Sequence, residues 1–188
     1  MSILGFSGSL RALSSNSALL RSAAASNSAV TIAPRLDTLP FYDGDVEAAG
    51  LPPAVAALRN QAFQASGFLF ATPEYNGFTS AVLKNAIDWL SRSGPEGVSP
   101  LKGKPFAVLS CGGGMRAQRN LLAIGADFKM LHIGAEDEPI AVKLFDGVKR
   151  FDTITGDLVD SSVQAAIAAL VSKLAMAAKE HKAAAATS

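Results

Sequence analysis

The chain has 188 residues, 49% of them hydrophobic and 18% charged, a globular composition long enough to bury roughly 70% of its unfolded surface around one core. A lone Cys111 excludes an internal disulfide and fits a reducing cytoplasm, while a net charge of +1 with scattered Lys and Arg leaves no basic footprint for nucleic acid. No apolar run approaches the ~20 residues needed to cross a bilayer and the first residues lack a signal-peptide pattern, so a cytoplasmic protein without a membrane partner is expected.

Residues 1–6 form a short apolar run, read as a first strand, followed by Ser7-Gly8-Ser9-Leu10-Arg11-Ala12-Leu13-Ser14-Ser15-Asn16 and an alanine- and leucine-rich helix over residues 17–25. Ser14, Ser15 or Asn16 is its expected N-cap. Val30-Thr31-Ile32-Ala33 predicts a second strand, and residues 37–50, with Pro, Asp and Gly, a surface loop. Pro52-Pro53 opens a helix whose inward face is Val55, Leu58, Ala62 and Phe63.

Residues 68–90 read as strand, polar loop and helix: an apolar run to Thr72, then Pro73-Glu74-Tyr75-Asn76-Gly77, then Leu83, Ile87 and Leu90 at i, i+4, i+7 spacing. A fourth strand covers residues 106–110 and runs into Cys111-Gly112-Gly113-Gly114 and another helix. A fifth strand is expected over residues 128–133, and residues 140–145 form either a short extra strand or an extended loop. Val163, Ile167, Leu170 and Leu174 mark a final helix capped from Asp160-Ser161-Ser162, and residues 183–188 read as a frayed or disordered tail. Strands alternating with helices imply an α/β, three-layer, doubly wound, five-stranded parallel sheet in a single domain over residues 1–182.

With strands one, three and four adjacent, three loops converge at their carboxyl ends, where ligands of open α/β sheets sit. The first lacks the Gly-x-Gly-x-x-Gly pattern of dinucleotide sites. Its hydroxyls, an amide and Arg11, leading into a helix N-terminus, suit a terminal phosphate monoester, although Ser and Asn are also favoured as plain caps. A monophosphate at the first strand with a loop such as Pro73-Glu74-Tyr75-Asn76 after the third is the arrangement of an FMN site at a flavodoxin-type switch point, with the glycine corner placed to approach the opposite ring edge.

Gly8-Ser9-Leu10-Arg11 with Ser15-Asn16, and Pro73-Glu74-Tyr75-Asn76-Gly77 with Leu83-Lys84-Asn85-Ala86-Ile87-Asp88-Trp89, resemble the two signature segments of the NAD(P)H-dependent FMN reductases, flavodoxin-like quinone, chromate and azo-dye reductases. The resemblance covers most of residues 3–122. It implies FMN as cofactor, NADPH or NADH as electron donor and small-molecule electron acceptors. Ser9, Arg11, Ser15 and Asn16 carry over as phosphate contacts, Pro73, Glu74, Tyr75 and Asn76 as ring and ribityl contacts, and Gly113 and Gly114 as contacts from the second loop. No catalytic side chain is expected, since flavin N5 carries the hydride. The resemblance further implies a homodimer or homotetramer with the Leu83–Trp89 helix near the partner.

Glu74 is a candidate general acid or a solvated loop carboxylate, and Tyr75 and Phe78 are candidates for a substrate wall or a subunit interface. Arg116 and Arg119 read as surface charge or as attractors of the NADPH phosphate, and His132 and His181 lack any metal-ligand pattern. The competing readings are a flavodoxin-type electron carrier, against which the +1 charge argues because such carriers are strongly acidic, and an FMN-binding regulator without turnover.

Overall fold

A computed structural model describes residues 1–94, 97–112, 115–134, 140–144 and 146–185. The strands are β1 (Ile3–Ser7), β2 (Val30–Ile32), β3 (Gly67–Thr72), β4 (Pro105–Cys111), β5 (Leu131–His132) and β6 (Ile140–Val142). The helices are α1 (Ser15–Ser26), α2 (Gly44–Ala49), α3 (Pro53–Gln64), α4 (Ala81–Ser91), α5 (Arg116–Asp127) and α6 (Ser161–Ala185). Among the described residues the strands of the sheet pair in parallel, in the order β2-β1-β3-β4-β5, with β6 also on β4.

The expected fifth strand is two pieces in one sheet position. β5 pairs with Pro105 and Phe106 at the start of β4, and β6 with Leu109 to Cys111 at its end. β5 is shorter than residues 128–133 because the preceding segment completes α5: Lys129 has φ +52° and Met130 N–H donates back to Gly125 at 2.9 Å.

Side chains alternate across the sheet with period two, and the two faces differ in kind. Phe6, Phe68, Phe70 and Phe106 form an aromatic ridge under α3, α4 and α5, while Ile3, Leu69, Ala107 and Leu109 meet the Leu and Ala faces of α1 and α6. Rings on the ridge pack at 5.4 to 6.1 Å, the range in which aromatic pairs add to simple area burial. α6, 25 residues long, is apolar enough by length and composition to cross a bilayer, contrary to expectation. Its stripe of Ile167, Leu170, Val171, Leu174 and Ala178 is instead buried in the second cluster. Much of its remaining apolar character is alanine.

Three further differences have local causes. Residues 37–50 hold a single 3₁₀ turn (Leu36–Thr38) and α2, capped by Asp43 on Asp45 N–H at 2.8 Å. α2 buries no residue, so it carries no apolar period. Phe63 is 40% exposed, covering Gly94 rather than facing the core. α6 continues through Ala185, into the segment read as a frayed tail; residues 186–188 lie outside the described residues.

Candidate functional site

The loop after β1 is fixed at both feet and open between them. Gly8 N–H donates to Ala71 of β3 at 2.7 Å, and a Cβ on Gly8 would lie 2.7 Å from Ser80 Oγ and 3.2 Å from Pro73 Cδ, so glycine lets the loops after β1 and β3 touch there. Ser7 Oγ pairs with Ser17 Oγ at 2.8 Å and accepts Ser9 N–H at 3.3 Å. Ser14 is the N-cap of α1, its Oγ accepting from Ser17 N–H at 3.1 Å. Between these ties Leu10, Arg11, Ala12 and Leu13 are exposed. Among the described residues the Arg11 guanidinium has no partner, and the backbone N–H groups of Ser15 and Asn16 in the first turn of α1 have no acceptor. That turn carries no acidic residue.

The Asn16 side chain is not available to a phosphate. It is 5% exposed, its Oδ1 accepting from Cys111 N–H at 3.0 Å and its Nδ2 donating to Cys111 C=O at 3.3 Å. The amide thus completes the backbone pairing at the carboxyl end of β4, and only its own N–H stays free for an anion. Ser15 stands at the open socket with its hydroxyl against the Cys111 thiol. Burial pushes that thiol up to about 11, so Cys111 is a protonated, unreactive group at neutral pH.

After β3 the chain makes a small hairpin. Tyr75 and Phe78 exchange both backbone bonds at 3.0 Å, with Asn76 and Gly77 between them at φ +54° and +77°, a pair of left-handed residues that makes a type I′ turn and accounts for Asn-Gly. Thr72 Oγ1 and Thr79 Oγ1, bonded at 2.7 Å in a buried contact, tie its feet. Neither threonine was singled out from sequence; their signal is that a polar pair brackets the hairpin. Asn76 is exposed at the tip, and Pro73 is buried.

Glu74 is half-exposed and is engaged as a helix cap. Its Oε2 accepts from the N–H groups of Arg116 and Ala117, at 2.9 and 3.2 Å, and so caps α5. Its side chain therefore binds protein, leaving its backbone as the part that can meet a ligand. Arg116 lies across Gly77, with Cδ 3.3 Å from where a Cβ would be.

The third loop begins with Gly112, φ +83°, whose N–H donates to Val142 at 3.1 Å. Gly113 and Gly114 lie outside the described residues. On α5, Gln118 is 1% exposed and donates to Ser110 Oγ at 2.7 Å, a buried polar pair that the sequence did not mark. On α4, Asn85 and Trp89 are buried within their own chain. Both donate to Pro40 C=O at 2.9 Å, and Asn85 Oδ1 accepts Tyr42 N–H at 2.8 Å. No group of three or more metal-ligating side chains occurs among the described residues.

An open, cation-flanked helix start and a hairpin thus stand together at the carboxyl ends of β1 and β3. The family model for NADPH-dependent FMN reductase matches residues 1–138. The chain belongs to the NADPH-dependent FMN reductase family. It is 40% identical over 167 residues, 84% of its length and 81% of the relative's, to a probable NADPH:quinone oxidoreductase of Oryza sativa subsp. japonica. An NAD(P)H-dependent FMN reductase of Pseudomonas aeruginosa is 46% identical over 126 residues, 63% of this chain and 66% of that one. Among solved structures, the flavoenzyme NAD(P)H:(acceptor) oxidoreductase FerB from Paracoccus denitrificans superposes with a TM-score of 0.75 over 94% of this chain and 98% of its own, at 24% identity, a likeness of flavodoxin-like fold.

The protein is accordingly an oxidoreductase with FMN as cofactor and NAD(P)H as donor. The residues present fit that group. Arg11, the free N–H groups of Ser15 and Asn16, and the hydroxyls of Ser9 and Ser15 offer donors without competing acid, as a phosphate monoester requires. The exposed Tyr75-Asn76 edge of the hairpin faces solvent rather than core, as a ring-edge contact requires.

Proposed function

We propose that the protein takes hydride from NADPH or NADH and passes two electrons to small oxidised acceptors by a ping-pong route, in which the spent nicotinamide leaves before the acceptor enters. Quinones head the acceptor list, with azo dyes, chromate and free flavins behind them. The observation that carries this reading is the open start of α1, where Arg11 and two unpaired N–H groups stand ready for a phosphate. FMN, once bound, supplies the hydride chemistry. The chain's own residues hold the phosphate at Arg11, Ser15 and Asn16 N–H, present the hairpin backbone from Pro73 to Asn76 to the ring edge, and leave one face accessible. Tyr75 and Phe78, 53% and 42% exposed, supply an apolar wall suited to a flat aromatic acceptor.

The reading extends to a cytoplasmic homodimer or homotetramer without nucleic-acid or membrane partners. Phe41, 80% exposed on the segment that Asn85 and Trp89 pin to α4, supports an interface beside that helix, because a large aromatic so placed is well suited to burial by a second subunit. The functional test is an anaerobic absorbance spectrum of the purified, FMN-loaded protein before and after NADPH, followed by addition of menadione. Bleaching on NADPH and recovery on the quinone are expected. A yellow protein that NADPH leaves unbleached would sink the reading.

A further inference from the structure

The N-terminus of α5 has no cap of its own. Met115, at the cap position, offers no side-chain bond, and the first turn contains no acid. The missing acceptor comes from the hairpin after β3, where Glu74, 42 residues before Arg116, reaches the N–H groups of Arg116 and Ala117. A second tie lies on the far side of the same hairpin: oriented to donate, the Asn120 amide bonds Gly77 C=O at 3.2 Å and Arg116 C=O at 2.7 Å. The hairpin is internally stiff, through the Thr72–Thr79 bond and the Tyr75–Phe78 pairing, so these two ties fix it as a unit against α5.

We propose that Glu74 is a positioning residue for the flavin reaction: it sets the hairpin of residues 73–78 against the start of α5, and thereby the place of the hairpin backbone that meets the cofactor, without exchanging a proton with substrate. The proposal rests on the FMN reading above. A charge-assisted bond to two N–H groups at a helix start is among the stronger non-covalent ties available to a surface loop, and a carboxylate complements the helix dipole there. Both N–H groups meet a single carboxylate oxygen, Oε2, so the side chain is engaged through that atom as the cap of α5.

The test compares Glu74→Ala, which removes both bonds, with Glu74→Gln, which keeps an acceptor and removes the charge. Hydrogen exchange at the Arg116 and Ala117 amides is measured on flavin-free protein, FMN affinity by fluorescence, and the pH profile of NADPH–menadione turnover on loaded enzyme. Glu74→Ala should speed exchange at both amides and weaken FMN binding about tenfold. Glu74→Gln should recover most of both, and the shape of the pH profile should be the same in all three proteins. Wild-type exchange and FMN affinity in Glu74→Ala would overturn the proposal, as would loss of one limb of the pH profile in Glu74→Gln, which would make Glu74 an acid. If the wild-type protein binds no FMN, the functional reading falls alone, because the exchange measurement still decides whether Glu74 joins hairpin to helix.

Discussion

Among the helices that begin at the carboxyl edge of this sheet, α1 and α5 have their N-termini treated in opposite ways. α1 starts with no acid in its first turn, with free N–H groups at Ser15 and Asn16 and an unpartnered Arg11 just before it. α5 starts with the N–H groups of Arg116 and Ala117 already taken by the Glu74 carboxylate. Both helices carry the same positive end, and each end favours an anion. The difference is who supplies it: at α5 the protein does, and at α1 a ligand must. The proposed phosphate position is therefore the start of α1, because the start of α5 already has its anion.

Removing Arg11 attacks the open end directly, and the largest effect is expected there. A hydrogen bond to a charged group contributes about 1.5–3 kcal/mol, so Arg11→Ala should weaken FMN binding by roughly tenfold to hundredfold. Because the guanidinium has no partner among the described residues, the thermal midpoint of flavin-free protein should not move. Affinity measured by flavin fluorescence that stays at the wild-type value would mean that the two helix ends do not differ in the way their geometry indicates.

Asn16 sharpens the comparison from the other direction, since it sits at the open end yet its side chain faces inward. Asn16→Ala strips both partners from Cys111 N–H and C=O in a buried place and should lower the unfolding free energy in urea by about 2 kcal/mol. Its FMN affinity should fall less than that of Arg11→Ala, because the N–H at position 16 remains. A larger loss of affinity than of stability would return the Asn16 amide to the phosphate shell.

The strand–loop–helix order was legible because apolar runs such as residues 68–72 and the 3.6-residue stripes of α4 and α6 are local facts of the chain. So were the three loops, the Ser14 cap among its neighbours and the Asn-Gly turn residues. What could not be read was the direction of individual lone pairs. Asn16 and Glu74 carry the residue types of ligand contacts, and their partners lie 95 and 42 positions away, a separation that no spacing rule spans. α2 escaped notice because a helix that buries nothing has no stripe, and the expected strands over residues 128–133 and 140–145 are longer than the observed ones because the two or three residues of β5 and β6 are too few to alternate.

Cys111, where the open end of α1 meets the end of β4, offers the smallest and most selective probe. In the unfolded chain its thiol ionises near 9.0, and in the fold burial holds it protonated up to about 11. Above pH 9 the unfolded state therefore loses a proton that the folded state keeps. The thiol's contribution to stability is whole below about pH 9 and declines as pH rises toward 11. Lys104, near the opposite end of β4, runs the other way. Burial pulls it from 10.5 down to about 8, so it adds stability as pH climbs through that interval. Subtracting the urea stability of Cys111→Ala from that of wild type cancels Lys104, which both proteins retain. The difference should be flat from pH 7 to about 8.5 and fall between about 9 and 11. In an Asn16→Ala background the fall should be shallower, because loosening the end of β4 lets water reach the thiol. A difference that stays flat through pH 11 would show that the junction between α1 and β4 is wet in the native protein, and that the open socket extends deeper than Ser15.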